Sequence, residues 1–243
     1  MLRTRAGLTV LLGLIFIANI VETAAEDRLK ETYGLGTERA YDLSYASHRA
    51  ELGFSFELHD TTNLIAAYGY SLSYFFVYPI IGVALAIALG RWRRIEAFRV
   101  YMLGLAIDYL LSLPFFLFFP VLERWAYPRS GAMLLSDKVT ETLIEAFRPM
   151  SGLDNCYPSF HTSMTVVMIA VCFLYKVRFR VTVLLLGMTI ILATYALGIH
   201  WIPDIIAGIG VALVSVAWAV RLNRKLEAQE DGTADGRFQP VAA

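Results

Sequence analysis

The stretch that decides the fold is VTVLLLGMTIILATYALGIHWIPDIIAGIGVALVSVAWAV, residues 181–220. Two apolar runs, Val181–Ile199 and Ile205–Val220, flank a short break that carries His200, Trp201, Pro203 and Asp204. Neither run alternates as a half-buried strand does, and each is long enough to cross most of a hydrocarbon core of about 30 Å as a helix. Two membrane spans with a short polar connection follow.

Working outward, further apolar runs occur at Gly7–Val21, Asn63–Leu89, Phe98–Val121 and Ser163–Tyr175, the first and last short enough to need flanking residues. The composition agrees. Of 243 residues 57% are hydrophobic and only 17% charged, and mean hydropathy is +0.56, against about a quarter charged in soluble domains. The fold class expected is all-α, a polytopic membrane bundle of about six helices. Lys+Arg and Asp+Glu are equal at 21 each, so no basic excess draws the chain to nucleic acid.

Basic residues set the orientation, because short loops rich in them stay cytoplasmic. Arg3 and Arg5 precede the first run; Arg91, Arg93, Arg94 and Arg99 follow the second; Lys176, Arg178 and Arg180 follow the fourth; Arg221, Arg224 and Lys225 follow the sixth. Six spans with both termini inside satisfy this alternation and put the segments bearing His161 and His200 on one, non-cytoplasmic side. Residues 1–225 read as a single membrane-embedded domain, with 26–62 and 122–162 non-cytoplasmic. Part of 26–62 suits a helix on the outer leaflet, a solvated loop being the alternative. Residues 226–243, acidic and without apolar period, read as a disordered cytoplasmic tail. The N-terminal run followed by Thr23-Ala24-Ala25 also suits a cleavable signal peptide, which would leave five spans and the same external site. Cys156 and Cys172 are too few for a disulfide framework, and a helical position for Cys172 puts it about 15 Å below the mouth near His161, beyond disulfide reach.

The chemistry concentrates in two segments. In the first, Phe147-Arg148-Pro149 leads to Asp154-Asn155-Cys156-Tyr157-Pro158-Ser159-Phe160-His161 and straight into the fourth run. Pro158 stops any earlier helix, Ser159 is a natural N-cap, and the amides of a helix N-terminus bind phosphate. His161 falls in that first turn. In the second, Asp204 stands four residues after His200, close enough for its carboxylate to hold one imidazole nitrogen and leave the other as a nucleophile. A His/His/Asp metal site is the competing reading of the same residues, but nothing in the sequence supplies a fourth ligand and Arg148 would repel a cation. No cofactor is expected. Asp108, in mid-span, is a functional suspect whose partner cannot be named.

These segments resemble the phosphatidic acid phosphatase type 2 superfamily, over roughly residues 51–208. Its motifs run Lys-x6-Arg-Pro, Pro-Ser-x-His and Ser-Arg-x5-His-x3-Asp. This chain matches them at Arg148-Pro149, at Pro158-Ser159-Phe160-His161 and at His200-x3-Asp204. The resemblance implies that His200 is the nucleophile, Asp204 its orienting partner, and His161 the acid that protonates the leaving oxygen. The family lysine falls on Glu141 and its later arginine on Thr194. Arg129 and Lys138 are the candidate replacement donors beside Arg148 and Ser159. Loss of the later arginine also marks the branch with the inositol phosphorylceramide and sphingomyelin synthases, which pass a headgroup between lipids. The expected function is cleavage of a lipid phosphomonoester or phosphodiester through a phosphohistidine, leaning to headgroup transfer, with a membrane lipid as substrate and water or a lipid hydroxyl as acceptor. Two alternatives are a hydrolytic lipid phosphate or polyprenyl pyrophosphate phosphatase, and a non-catalytic protein that binds or transports an anionic headgroup.

Overall fold

The computed structural model describes residues 4–51, 63–91, 95–147 and 152–235. Nine α-helices are found among them: α1 Arg5–Thr32, α2 Thr37–Glu51, α3 Leu64–Leu72, α4 Tyr78–Arg91, α5 Ile95–Phe118, α6 Thr142–Phe147, α7 Phe160–Leu174, α8 Arg180–Ala196 and α9 Ile202–Asp235. A π-helical turn, Ser73–Val77, joins α3 to α4 without a break. The described residues hold no strand, only an isolated bridge between Val121 and Asn155. The chain is an all-α membrane bundle.

Four helical stretches are long and apolar enough to cross a membrane: Arg5–Glu26, Leu64–Arg91, Ile95–Phe118 and Ile202–Gln229. With the shorter apolar helices α7 and α8 they coincide with the six apolar runs of the sequence. At 1.5 Å per residue, α7 rises about 22 Å and α8 about 26 Å, short of the roughly 30 Å hydrocarbon core. Irregular backbone completes the depth, and it is covered by protein: Cys156, Ser159, Leu197, Ile199, His200 and Trp201 are all buried. That is the only setting in which non-helical chain is stable at such depth.

The centre of the bundle is α5, apolar around its circumference and buried on nearly every side, as Ala97, Val100, Tyr101, Leu103 and Tyr109 show. It packs against α1, α4, α7 and α9. Asp108 has a structural partner set: it accepts hydrogen bonds from Ser163 Oγ of α7 at 2.7 Å and Ser215 Oγ of α9 at 3.3 Å. One carboxylate thereby ties three helices where no water competes.

Several expectations need adjusting. The helix α9 continues to Asp235, beyond the point where the sequence suggests a disordered tail. Leu226 packs against the core and Asn223 Nδ2 donates to Glu227 Oε1 at 2.9 Å across one turn. Between the first two spans, α1 runs on to Thr32 and α2 lies against protein, burying Ala40, Ser44, Ser47 and Glu51. Residues 52–62 lie outside the described residues. Cys156 and Cys172 form no disulfide.

Candidate functional site

The loop between α8 and α9 is held by its own carbonyls. Arg124 N–H donates to Ile199 O at 2.9 Å, Trp125 N–H to Gly198 O at 2.8 Å, Leu135 N–H to Leu197 O at 3.2 Å, and His200 N–H to Thr194 O at 3.0 Å. Gly198 sits at φ +78, and a Cβ there would lie 2.5 Å from Met133 O. Only glycine accepts both conditions. His200 therefore rises from a backbone with little freedom.

Behind it, Asp204 is fully buried at the start of α9. Its Oδ2 accepts Trp201 N–H at 2.9 Å and lies 3.6 Å from His200 Nδ1, just beyond a hydrogen bond. His200 Nδ1 and Asp204 Oδ1 are both buried with no hydrogen-bond partner among the described residues. Catalytic contacts are often this loose before substrate binds.

His161 arrives on α7. Ser159 is the N-cap, its Oγ accepting Thr162 N–H at 3.4 Å and donating to Thr162 Oγ1 at 3.0 Å. Ser159 N–H donates to Asp204 O at 3.0 Å, so the two motif segments are bonded directly. The close approach requires Gly208, where a Cβ would stand 2.6 Å from Ser159 O. The rings of His161 and His200 are thereby brought to 6.2 Å between centroids, tilted by 54°. A reacting phosphorus and its leaving oxygen can be reached from both.

His161 is also gripped by two tyrosines the sequence reading passed over. Tyr74 stacks on its ring at 4.0 Å and 21°, and Tyr78 lies at 4.5 Å and 45°. Tyr74 lies within the π turn and Tyr78 directly follows it, the kind of irregularity that recurs at functional sites. The signal was a four-residue spacing, Tyr70, Tyr74 and Tyr78, which in a membrane span reads equally as interfacial anchoring.

The proposed phosphate donors are scattered. Arg148 lies outside the described residues. Lys138 is half-buried at the end of a 3-10 turn, Leu135–Lys138, in acidic company: burial, then Glu141 and Glu145, push the Asp137 carboxyl up. Arg129 is exposed and lines a surface pocket with Tyr41, Asp42 and Tyr45 of α2; His161, His200 and Asp204 do not line it. A cation unforeseen in the sequence packs against the His200 loop from the segment after α5. Arg124 is buried over the Tyr195 ring at 4.6 Å, and its Nε donates to Glu51 Oε2 at 3.0 Å while Glu51 Oε1 accepts Ile202 N–H at 3.2 Å. On the other flank Lys30 Nζ binds Asp154 Oδ1 at 2.6 Å and Asn155 Oδ1 at 2.9 Å, fixing the segment before Pro158.

For a metal, the described residues offer Cys156, His200 and Asp204, whose ligand atoms lie within 4.8 Å of one another. This differs from the His/His/Asp set of the sequence.

Comparison with known families gives one match. The model of the PAP2 superfamily covers residues 127–227, less than half the chain but spanning Arg148, the Pro158–His161 segment, His200 and Asp204. It supports the superfamily. No curated protein and no solved structure matches the chain.

Proposed function

We propose that this membrane protein is a lipid phosphate phosphatase or phosphotransferase acting through a phosphohistidine. The observation that carries the reading is the pairing of His161 and His200, delivered by different helices to 6.2 Å, with the Asp204 carboxylate behind only one of them. The match to the PAP2 superfamily over the same residues supports it.

Asp204 faces Nδ1 of His200, which leaves Nε2 to attack phosphorus, and the carboxylate stabilises the cation that forms. His161 protonates the departing oxygen, then serves as base for water or a lipid hydroxyl. The amides behind Ser159, with Arg148 as a further donor, hold the developing charge, while Lys138 and Arg129, the other candidates from the sequence, lie away from it. No metal takes part in this scheme. The lean to headgroup transfer rests on Thr194, where the resemblance expects an arginine. Alternating basic clusters favour a non-cytoplasmic site with both termini inside.

The test is incubation of purified protein with a panel of lipid phosphates and phosphodiesters in EDTA, products resolved by mass. Release of phosphate or headgroup is expected, and an added lipid alcohol should compete with water as acceptor. Specific lipid association without release would make the protein a binder or transporter. Turnover lost in EDTA and restored by one metal would replace the mechanism.

A further inference from the structure

Cys156 has no part in the scheme above, yet the fold brings it to the nucleophile. Its N–H donates to Val121 O at 3.1 Å, beside the bridge of Asn155 to Val121, and its thiol to Ile199 O at 3.4 Å, one residue before His200. The exposures of Cys156, His200 and Asp204 are 2%, 4% and 0%. We propose that these three residues form a binding site for a soft divalent cation, zinc(II) or cadmium(II), and that occupancy switches the nucleophile off. The binding claim stands on the geometry alone; the inhibition claim rests on the proposed function.

The ligand atoms already lie within 4.8 Å of one another. Zinc bonds of 2.0–2.2 Å to nitrogen and oxygen place two such ligands about 3.3–3.6 Å apart on a tetrahedral ion. The 3.6 Å between His200 Nδ1 and Asp204 Oδ2 is too long for a hydrogen bond but suits two ligands on one ion. His200 Nδ1, buried without a hydrogen-bond partner among the described residues, would gain one. Sulfur, imidazole and carboxylate together select zinc and its softer congeners over magnesium or calcium, which want oxygen throughout. Charge balances as well. On binding, the Cys156 thiol releases its proton to solvent, and thiolate plus carboxylate neutralise the dication, so the repulsion that Arg148 would exert on a bare cation meets a site with no net charge. No electron moves. No described residue supplies a fourth ligand, which leaves that position to water or a substrate oxygen. A cation so held fixes the His200 ring and draws on the basicity that attack on phosphorus needs.

The experiment titrates full-length protein in detergent with cadmium and follows the ultraviolet thiolate-to-metal charge-transfer band, then measures zinc inhibition of turnover. One band saturating at one equivalent is expected, absent in Cys156→Ser and retained in Cys172→Ser. In His200→Ala, which leaves the Cys156 segment intact, affinity should fall roughly tenfold or more, the order seen when support of a metal ligand is lost. Zinc for half inhibition should rise at least about tenfold in Cys156→Ser, each protein referred to its own zinc-free rate. No band in the wild type, a full band in Cys156→Ser, or undiminished affinity in His200→Ala overturns the site. Equal zinc sensitivity of wild type and Cys156→Ser overturns the switch. A normal band in a protein that turns over no lipid phosphate leaves the site standing and removes the proposed function instead.

Discussion

The two histidines are held by different physics. His200 grows from a loop whose carbonyls at Leu197, Gly198 and Ile199 are all engaged and has a buried carboxylate 3.6 Å behind its Nδ1. His161 stands in the first turn of a helix, its ring against Tyr74 and Tyr78. A charged backing distinguishes the two nitrogens of a ring and suits a group that must become a cation; aromatic faces fix the plane of a ring and leave its proton free to move. The asymmetry therefore predicts a division of labour.

The sharpest test removes each in turn. His200→Ala should abolish turnover, a loss on the order of 10⁴ or more as expected for a nucleophile, and rapid quench with a labelled aryl phosphodiester should find no acid-labile adduct. An adduct on His161 would invert the comparison. Next comes His161→Ala, where turnover of a lipid substrate should fall by roughly 10² to 10⁴, the usual worth of general-acid catalysis. The aryl substrate, whose leaving group needs no proton, should still load His200. Equal losses for both substrates would deny His161 its role as acid.

A smaller effect is expected from Tyr74→Leu, which removes the stacked face. Aromatic contacts of this kind are worth about 0.5–1.5 kcal/mol, so lipid turnover should drop roughly two- to tenfold while the aryl substrate is unaffected. A loss shared by both would mean that Tyr74 supports the bundle and not the acid. The smallest change is Ser159→Ala. Loss of an N-cap costs about 1 kcal/mol, visible as a lower thermal midpoint in detergent, and a still smaller shift would mean that the Asp204 O contact of the Ser159 backbone already holds the turn.

Much of the architecture was legible because lipid imposes length. The six apolar runs needed no tertiary information, and neither did Pro158 and Ser159, which announce the start of α7. His200 and Asp204 are four residues apart, so their proximity is local. What could not be read depends on long closures. Cys156 and Ile199 meet across a sequence separation of 43, Arg124 and Glu51 across 73, and Lys30 and Asp154 across 124. Asp108 was visible as an anomaly, but the serines that explain it sit on α7 and α9, at positions no different in sequence from other small polar residues in spans. The end of α9 was missed for a different reason: its last turns are polar, and polar composition alone does not distinguish a solvated helix from coil.

The shortness of α7 bears on how a lipid reaches the histidines. If the protein acts on a lipid phosphate as proposed, the shortness of this helix sets His161, in its first turn, within about two turns of the level at which a bilayer lipid carries its phosphate. A water-soluble enzyme must lift its substrate out of the bilayer against about 0.8 kcal/mol for every methylene exposed. Under the proposed function the substrate's hydrocarbon chains would stay in oil throughout the reaction. The lipid would have only to slide sideways, so encounter would be set by diffusion in two dimensions and by its mole fraction in the leaflet.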